Sequence, residues 1–166
     1  MNNNKVNFEG MTMEELEAMA NQNNPEAIME LSRRYLLGEG IENDDEKYFA
    51  LLKQAAELDY TPAQVTLGAE YKYQLNNYKE AVKWFKIAAD KGYAPAQCAL
   101  ARCYLQGKGI EQSFEEAIKL FKSAAAKGNY IACRELCRCF EEGIGVEKNP
   151  IEAAKWNKKA EELKSK

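Results

Sequence analysis

The sequence predicts an all-α fold, an α-solenoid of stacked antiparallel helix hairpins, and three observations predict it. First, the chain repeats itself: Ala27, Ala63, Ala96 and Ala132 open equivalent segments spaced by 36, 33 and 36 residues, a period that marks a helical-repeat architecture. Second, the apolar positions inside each repeat recur at helical intervals. Third, glycine pairs, prolines and Asn or Ser residues stand where helices must stop and start.

The first helix of each repeat, helix A, is read from the opening alanine. Four positions on stand Leu31, Leu67, Leu100 and Leu136, then the small Ser32, Gly68, Ala101 and Cys137, and a turn later Tyr35, Tyr71, Tyr104 and Phe140. At about 100° per residue the Ala, Leu and aromatic positions share one stripe. The small residue lies at its edge, where a neighbouring backbone can approach. Helix A stops in three repeats at Gly38/Gly40/Ile41, Gly107/Gly109/Ile110 and Gly143/Gly145/Val146, with glycine as the left-handed cap.

Helix B follows and is clearest in KEAVKWFKIAADKG and EEAIKLFKSAAAKG, which align Ala81 with Ala117, Trp84 with Leu120, Phe85 with Phe121, and Ala88/Ala89 with Ala124/Ala125. IEAAKWNKKAEELK is the fourth copy. Start signals precede each: Asn77 before Glu80, Ser113 before Glu116, and Asn149 before Pro150 and Glu152. Gly92 and Gly128 end the two central B helices.

The phrase YTPAQ at Tyr60–Gln64 returns as YAPAQ at Tyr93–Gln97 and marks the joint between hairpins. In it Thr61 is expected to cap the next A helix, Pro62 to take its first position and Gln64 to return a capping-box bond. Asn24 and Asn129 make the outer joints.

Domain organisation follows. Residues 1–11 are expected to be disordered, and 12–166 to form one domain: a capping half-repeat over 12–24, then repeats over 25–60, 61–93, 94–129 and 130–166. Thr12 and Glu15 supply the first capping box, with Leu16 at the position of Phe121 and Met19/Ala20 at that of Ala124/Ala125. At the far end Asn157 replaces the aromatic of Phe85 and Phe121, so no fifth repeat is expected, because a terminal unit presents a polar outer face.

Composition narrows the function. With 166 residues, 30% charged, and a formal net charge of −3, the chain has no general positive field for nucleic acid. No apolar leader or membrane-spanning stretch is seen, so a cytoplasmic protein without membrane insertion is expected. Five cysteines, all between Cys98 and Cys139, suit a reducing compartment. There is no histidine, which excludes the usual Ser/His/Asp and Cys/His nucleophiles. Cys133 and Cys137 lie one turn apart, but Cys137 takes the position of Ser32, Gly68 and Ala101, a packing role rather than a metal site. The G-x-G loops follow helices and not strands, so they cap helices and do not cradle phosphate. No catalytic residue, cofactor or metal is expected, and the chain is read as a non-enzyme.

The pattern of Ala, Leu plus a small residue, Tyr, G-x-G-hydrophobic, then an Ala/Trp/aromatic/Ala-Ala helix closed by Lys-Gly resembles the Sel-one-like repeat family, a relative of the tetratricopeptide repeats. It covers Pro25 to the carboxyl end; repeat two loses three residues at YKYQLNNY, and repeat one carries Tyr48, Leu51 and Asp59 where Ala, Trp and Gly are usual. The resemblance implies a right-handed superhelix whose A helices line a concave groove, in proteins that act as adaptors or scaffolds.

The face of helix A opposite its apolar stripe then becomes the candidate partner surface. It reads Met29, Arg33, Leu36, Leu37; Val65, Ala69, Lys72, Tyr73; Cys98, Arg102, Leu105, Gln106; and Arg134, Arg138, Glu141, Glu142. Arginine recurs at its second position as Arg33, Arg102 and Arg138. A guanidinium ladder suits carboxylates, and Leu36, Leu37, Tyr73 and Leu105 are expected to be exposed anchors beside it. The expected partner is a protein or peptide segment with acidic and apolar residues, taken by a monomer. The alternative, binding or processing of cell-wall fragments or β-lactams, rests only on resemblance to cysteine-rich secreted relatives.

Overall fold

The structure, a computed structural model, describes Phe8 and residues 10–165. Among the described residues it contains nine helices and no strand: α1 (Met13–Asn21), α2 (Pro25–Leu37), α3 (Asp45–Glu57), α4 (Thr61–Tyr73), α5 (Tyr78–Asp90), α6 (Ala94–Gln106), α7 (Phe114–Ala126), α8 (Tyr130–Glu142) and α9 (Pro150–Lys164). Helices α2, α4, α6 and α8 are the A helices, and α3, α5, α7 and α9 the B helices. The chain divides into two compact units, one ending at Leu67 and one starting at Gly68. No helix of the described residues is long and apolar enough to cross a membrane.

In the first unit, α1 packs on α2 and α2 on α3. The expected capping box forms at α1: Thr12 Oγ1 accepts from the Glu15 N–H at 3.2 Å and Glu15 Oε2 accepts from the Thr12 N–H at 2.9 Å. Asn24 Oδ1 accepts from the N–H groups of Glu26 and Ala27 to start α2, and Gly38, at φ 69°, ends it. Leu16, Ile28 and Leu52 are fully buried. Residues 1–7 and Glu9, part of the stretch expected to be disordered, lie outside the described residues. Phe8 and Met11 are described, and their carbonyls accept from Arg34 at 3.2 and 2.9 Å.

The repeated joint works differently from the expectation. The Gln64 N–H donates to the Tyr60 carbonyl at 3.0 Å, so Tyr60 takes the cap position and Thr61 lies in the first turn. The side chain of Gln64 reaches backwards: Nε2 donates to the Ala56 carbonyl at 3.2 Å and to Asp59 Oδ1 at 3.1 Å. It adds a second bond to a carbonyl at the end of α3 that otherwise accepts only from the closing turn, where the Asp59 N–H lies at 3.2 Å. Asp59, where other repeats have glycine, stands at φ 66°. A side chain in that region costs about 1–2 kcal/mol, which the bond from Gln64 offsets in part.

In the second unit α5 packs on α6, α6 on α7, α7 on α8, and α8 on α9. Asn77, Ser113, Asn129 and Asn149 all accept the expected first-turn N–H bonds. The second copy of the joint repeats the first: Tyr93 caps without a side-chain bond, while Gln97 Nε2 points to the Ala89 carbonyl at 3.5 Å and Gln97 Oε1 accepts from Ser123 at 3.0 Å. The small position is explained at Gly68, where an added Cβ would stand 2.6 Å from Cε1 of Phe85. What approaches there is an aromatic ring rather than the expected backbone. One core joins Ala101 and Leu105 of α6, Phe121, Ala124 and Ala125 of α7, Leu136 and Cys139 of α8, and Ala160 of α9. Burying a ring such as Phe121 contributes about 1.5–3 kcal/mol. Asn157, at the equivalent position in α9, is exposed.

Candidate partner-binding surface

In the first unit the outward face of α2 is built by two adjacent arginines with different tasks. Arg33, 44% exposed at its side chain, donates from Nε and Nη2 to Glu30 at 3.0 and 2.8 Å and from Nη2 to Glu39 at 2.6 Å. The bond from Arg33 is the main reason that the Glu30 carboxyl titrates below its ordinary value. Arg34 is only 12% exposed; besides the carbonyls of Phe8 and Met11, it reaches Glu30 Oε1 at 3.5 Å. A cavity of about 400 Å³ opens beside them, lined by Phe8, Met29, Leu36, Tyr48, Leu52 and Tyr60 among others. It exists because α3 carries Leu52 where α5 and α7 carry the larger Phe85 and Phe121.

Leu36 and Leu37 are exposed at 39% and 56%, as expected for anchors. Met29, Val65, Ala69 and Lys72 are half-buried and Tyr73 is 69% exposed. The Lys72 ammonium lies over the Tyr73 ring, 4.6 Å from its centroid.

In the second unit Arg102 of α6 and Arg138 of α8 meet through a residue that the sequence reading passed over. Glu135, 14% exposed at its side chain, accepts from Arg102 Nε at 2.8 Å and Nη2 at 2.7 Å through Oε1, and from Arg138 Nη2 at 3.0 Å through Oε2. Arg138 also faces Glu142 at 3.7 Å. Burial pushes the Glu135 carboxyl up, but the bonds from Arg102 and Arg138 outweigh it and hold it below its ordinary value. The guanidinium pair is therefore already charge-compensated. Arg134 is different: it is exposed and has no carboxylate within ion-pair distance among the described residues. These arginines line a cavity of about 630 Å³ with Tyr130, Ile131 and Asn157.

Two expected groove residues are not on this surface. Cys98 and Leu105 are 5% and 7% exposed and belong to the shared core. The correction has a plain cause: α6 packs against both the preceding α5 and its own B helix α7, so its buried arc is wider than one stripe. Burial also pushes the Cys98 thiol up to about 11. A sequence signal for Glu135 existed, since Glu30 and Glu135 stand at the same repeat position, three residues before Arg33 and Arg138, a spacing at which helical charges pair. Nothing comparable pointed to Arg34 or Phe8.

The Sel1 repeat family matches four segments of the chain, residues 25–60, 62–93, 94–129 and 131–165. Over 92% of its length the chain is similar in structure to c5321, a protective antigen present in uropathogenic Escherichia coli strains that displays an SLR fold, with a TM-score of 0.87 and 32% identity. It is also similar over 90% of its length to a Sel1 repeat protein from Oxalobacter formigenes, with a TM-score of 0.80 and 31% identity. The Neisseria meningitidis protein NMB1327 is 36% identical over 94 residues, 57% of this chain. The chain spans only part of each: 33% of the antigen, 62% of the Oxalobacter protein and 20% of NMB1327.

Proposed function

The chain belongs to the Sel1 repeat family and has its helical solenoid fold, and from that premise we propose that it is a non-catalytic protein-interaction module that takes a partner segment on the outward face of its A helices. Proteins of this family are generally protein-interaction scaffolds. One observation carries the reading: the second unit opens a cavity of about 630 Å³ on that face, where Arg134 makes no ion pair with the Glu141 and Glu142 that share the lining, while Glu135 holds Arg102 and Arg138 in place. A partner carboxylate would meet Arg134 first, and the fixed pair beside it costs little side-chain entropy to engage. Exposed Tyr73 supplies an apolar component within the same unit.

A reducing compartment such as the cytosol is part of the proposal, supported by five free and buried cysteines, and a monomer is proposed with it. The same free thiols give no support to the cell-wall or β-lactam alternative. Photo-crosslinking in cells tests the reading. With a photoreactive residue in place of Arg134 or Tyr73, discrete partner adducts are expected; in place of Lys122, on the outer side of α7, they are not. Adducts spread equally over all three positions, or absent from the first two, would refute it.

A further inference from the structure

The cavity of the first unit has a different chemistry from that of the second, and ion pairing does not explain it. We propose that it is a side-chain pocket for a partner segment carrying an aromatic or long aliphatic residue next to a lysine or arginine, with Phe8 as part of its wall. This rests on the protein-interaction reading above and names what that unit recognises.

Three observations meet there. The space is apolar and of the right size: Met29, Leu36, Tyr48, Leu52 and Tyr60 surround about 400 Å³, at the lower end of the range in which small-ligand sites fall, about 300–1,000 Å³. Phe8 is part of its lining, and its main chain is held by a side chain of α2. The Arg34 guanidinium donates to the carbonyls of Phe8 and Met11 at 3.2 and 2.9 Å, and the Met11 N–H closes back on the Phe8 carbonyl at 3.2 Å. Bonds from a largely buried cation are strong ones, so the main chain of Phe8 is anchored where its side chain lines the cavity.

Charge sets the flanking residue. Arg33 is tied to Glu30 and Glu39, and Arg34 to Glu30. Glu26, which also lines the cavity, has no cation within ion-pair distance among the described residues. Among the lining residues two carboxylates, Glu26 and Glu30, thus face one guanidinium, Arg33, and the residual negative charge favours a cation beside the anchor.

Titration of the 15N-labelled full chain with the capped peptide Ac-Gly-Phe-Lys-Gly-NH2, against Ac-Gly-Phe-Glu-Gly-NH2, tests this by NMR. Saturable shifts at the amides of Met29, Leu36 and Tyr60 are expected, with the lysine peptide binding at least three-fold more tightly. Phe8→Ala should weaken it at least five-fold, with an unchanged helical circular-dichroism spectrum showing that the fold survives, and Glu26→Gln should remove the preference for lysine. Absent shifts at those amides, unchanged or tighter binding to Phe8→Ala, or preference for the glutamate peptide would each overturn the pocket. Shifts confined to Arg102 and Arg134 would overturn it too, while leaving the proposed function standing.

Discussion

The side-chain amide of Gln64 donates to the main-chain carbonyl of Ala56, 3.2 Å away and eight residues back in the chain. The glutamine is buried, so this one bond ties the start of an A helix to the end of the B helix before it. Truncating it would remove a buried hydrogen bond while the Ala56 carbonyl keeps the Asp59 N–H at 3.2 Å, at a cost of about 0.5–1.5 kcal/mol. Gln64→Ala should therefore lower the free energy of urea unfolding by that amount. The equivalent Gln97→Ala should cost less, since its bond to Ala89 is longer, at 3.5 Å. Equal losses in the two variants, or none in the first, would remove the clamp from the account of the joint.

Gly109 and Gly128 both have φ in the left-handed region, at 73° and 84°, but they face different neighbours. A Cβ on Gly109 would run into the carbonyl group of Tyr78, at the start of α5, whereas one on Gly128 would stand 3.8 Å from a methyl of Leu163. Gly128→Ala should then show only the strain of its backbone, about 1 kcal/mol. Gly109→Ala adds a clash with main chain, which cannot rotate away, and should lose roughly 3 kcal/mol or more in thermal or urea unfolding. Similar losses at both sites would mean that the loop moves aside freely.

Local rules were enough to place the Asn and Ser caps, though not the one expected at Thr61, where Tyr60 takes the cap position. Asn77, Ser113 and Asn149 bond to groups within three residues, so their neighbours in the chain decide the outcome. The same holds for the period itself, because each hairpin buries the same stripe. The tie between Arg102 and Glu135 spans 33 residues, and nothing local distinguishes it from the solvated arginine that the repeat position also allows. Leu105 shows the complementary failure. Helical periodicity places it on the outward face, but periodicity describes one helix alone, and in the packed unit Leu105 joins the core shared by α6, α7, α8 and α9. The cavity beside Tyr48 escaped for a third reason: Leu52 is an ordinary apolar residue at an apolar position, and only its volume relative to Phe85 and Phe121 signals the space.

Glu135 makes stability depend on pH with a definite sign. Burial raises its pKa, but the bonds from Arg102 and Arg138 lower it further, so the folded value lies below the ordinary 4.5. A depressed carboxyl contributes stability that is fully present above its unfolded value and is lost as the pH falls through the folded one. The wild type should hold a steady melting temperature from pH 7 to about 5 and lose stability below that. Glu135→Gln should start about 1–3 kcal/mol lower at pH 7, because two guanidiniums lose their shared acceptor, and should then fall less steeply on acidification. Glu30, held down chiefly by Arg33, keeps its own share in both proteins, so the variant retains part of the slope. Parallel curves for the two proteins would show that Glu135 is no better paired folded than unfolded.

All five cysteines are free and buried, and burial is the leading cause that pushes each thiol up, with Cys98 and Cys139 reaching about 11. The reactive form is the thiolate, so at pH 8 a thiol with a pKa near 11 is ionised at only about one part in a thousand, before any allowance for steric cover. Native protein should react with an aromatic disulfide reagent at least roughly a hundred times more slowly than the same protein in guanidinium chloride, where all five should titrate together. The variant Cys137→Ser tests the packing role directly, since Ser32 already holds the equivalent position in the first repeat. It should unfold within about 1 kcal/mol of the wild type. A fast-reacting thiol in the native protein, or one protected by a stoichiometric amount of zinc, would turn these residues from core atoms into a site.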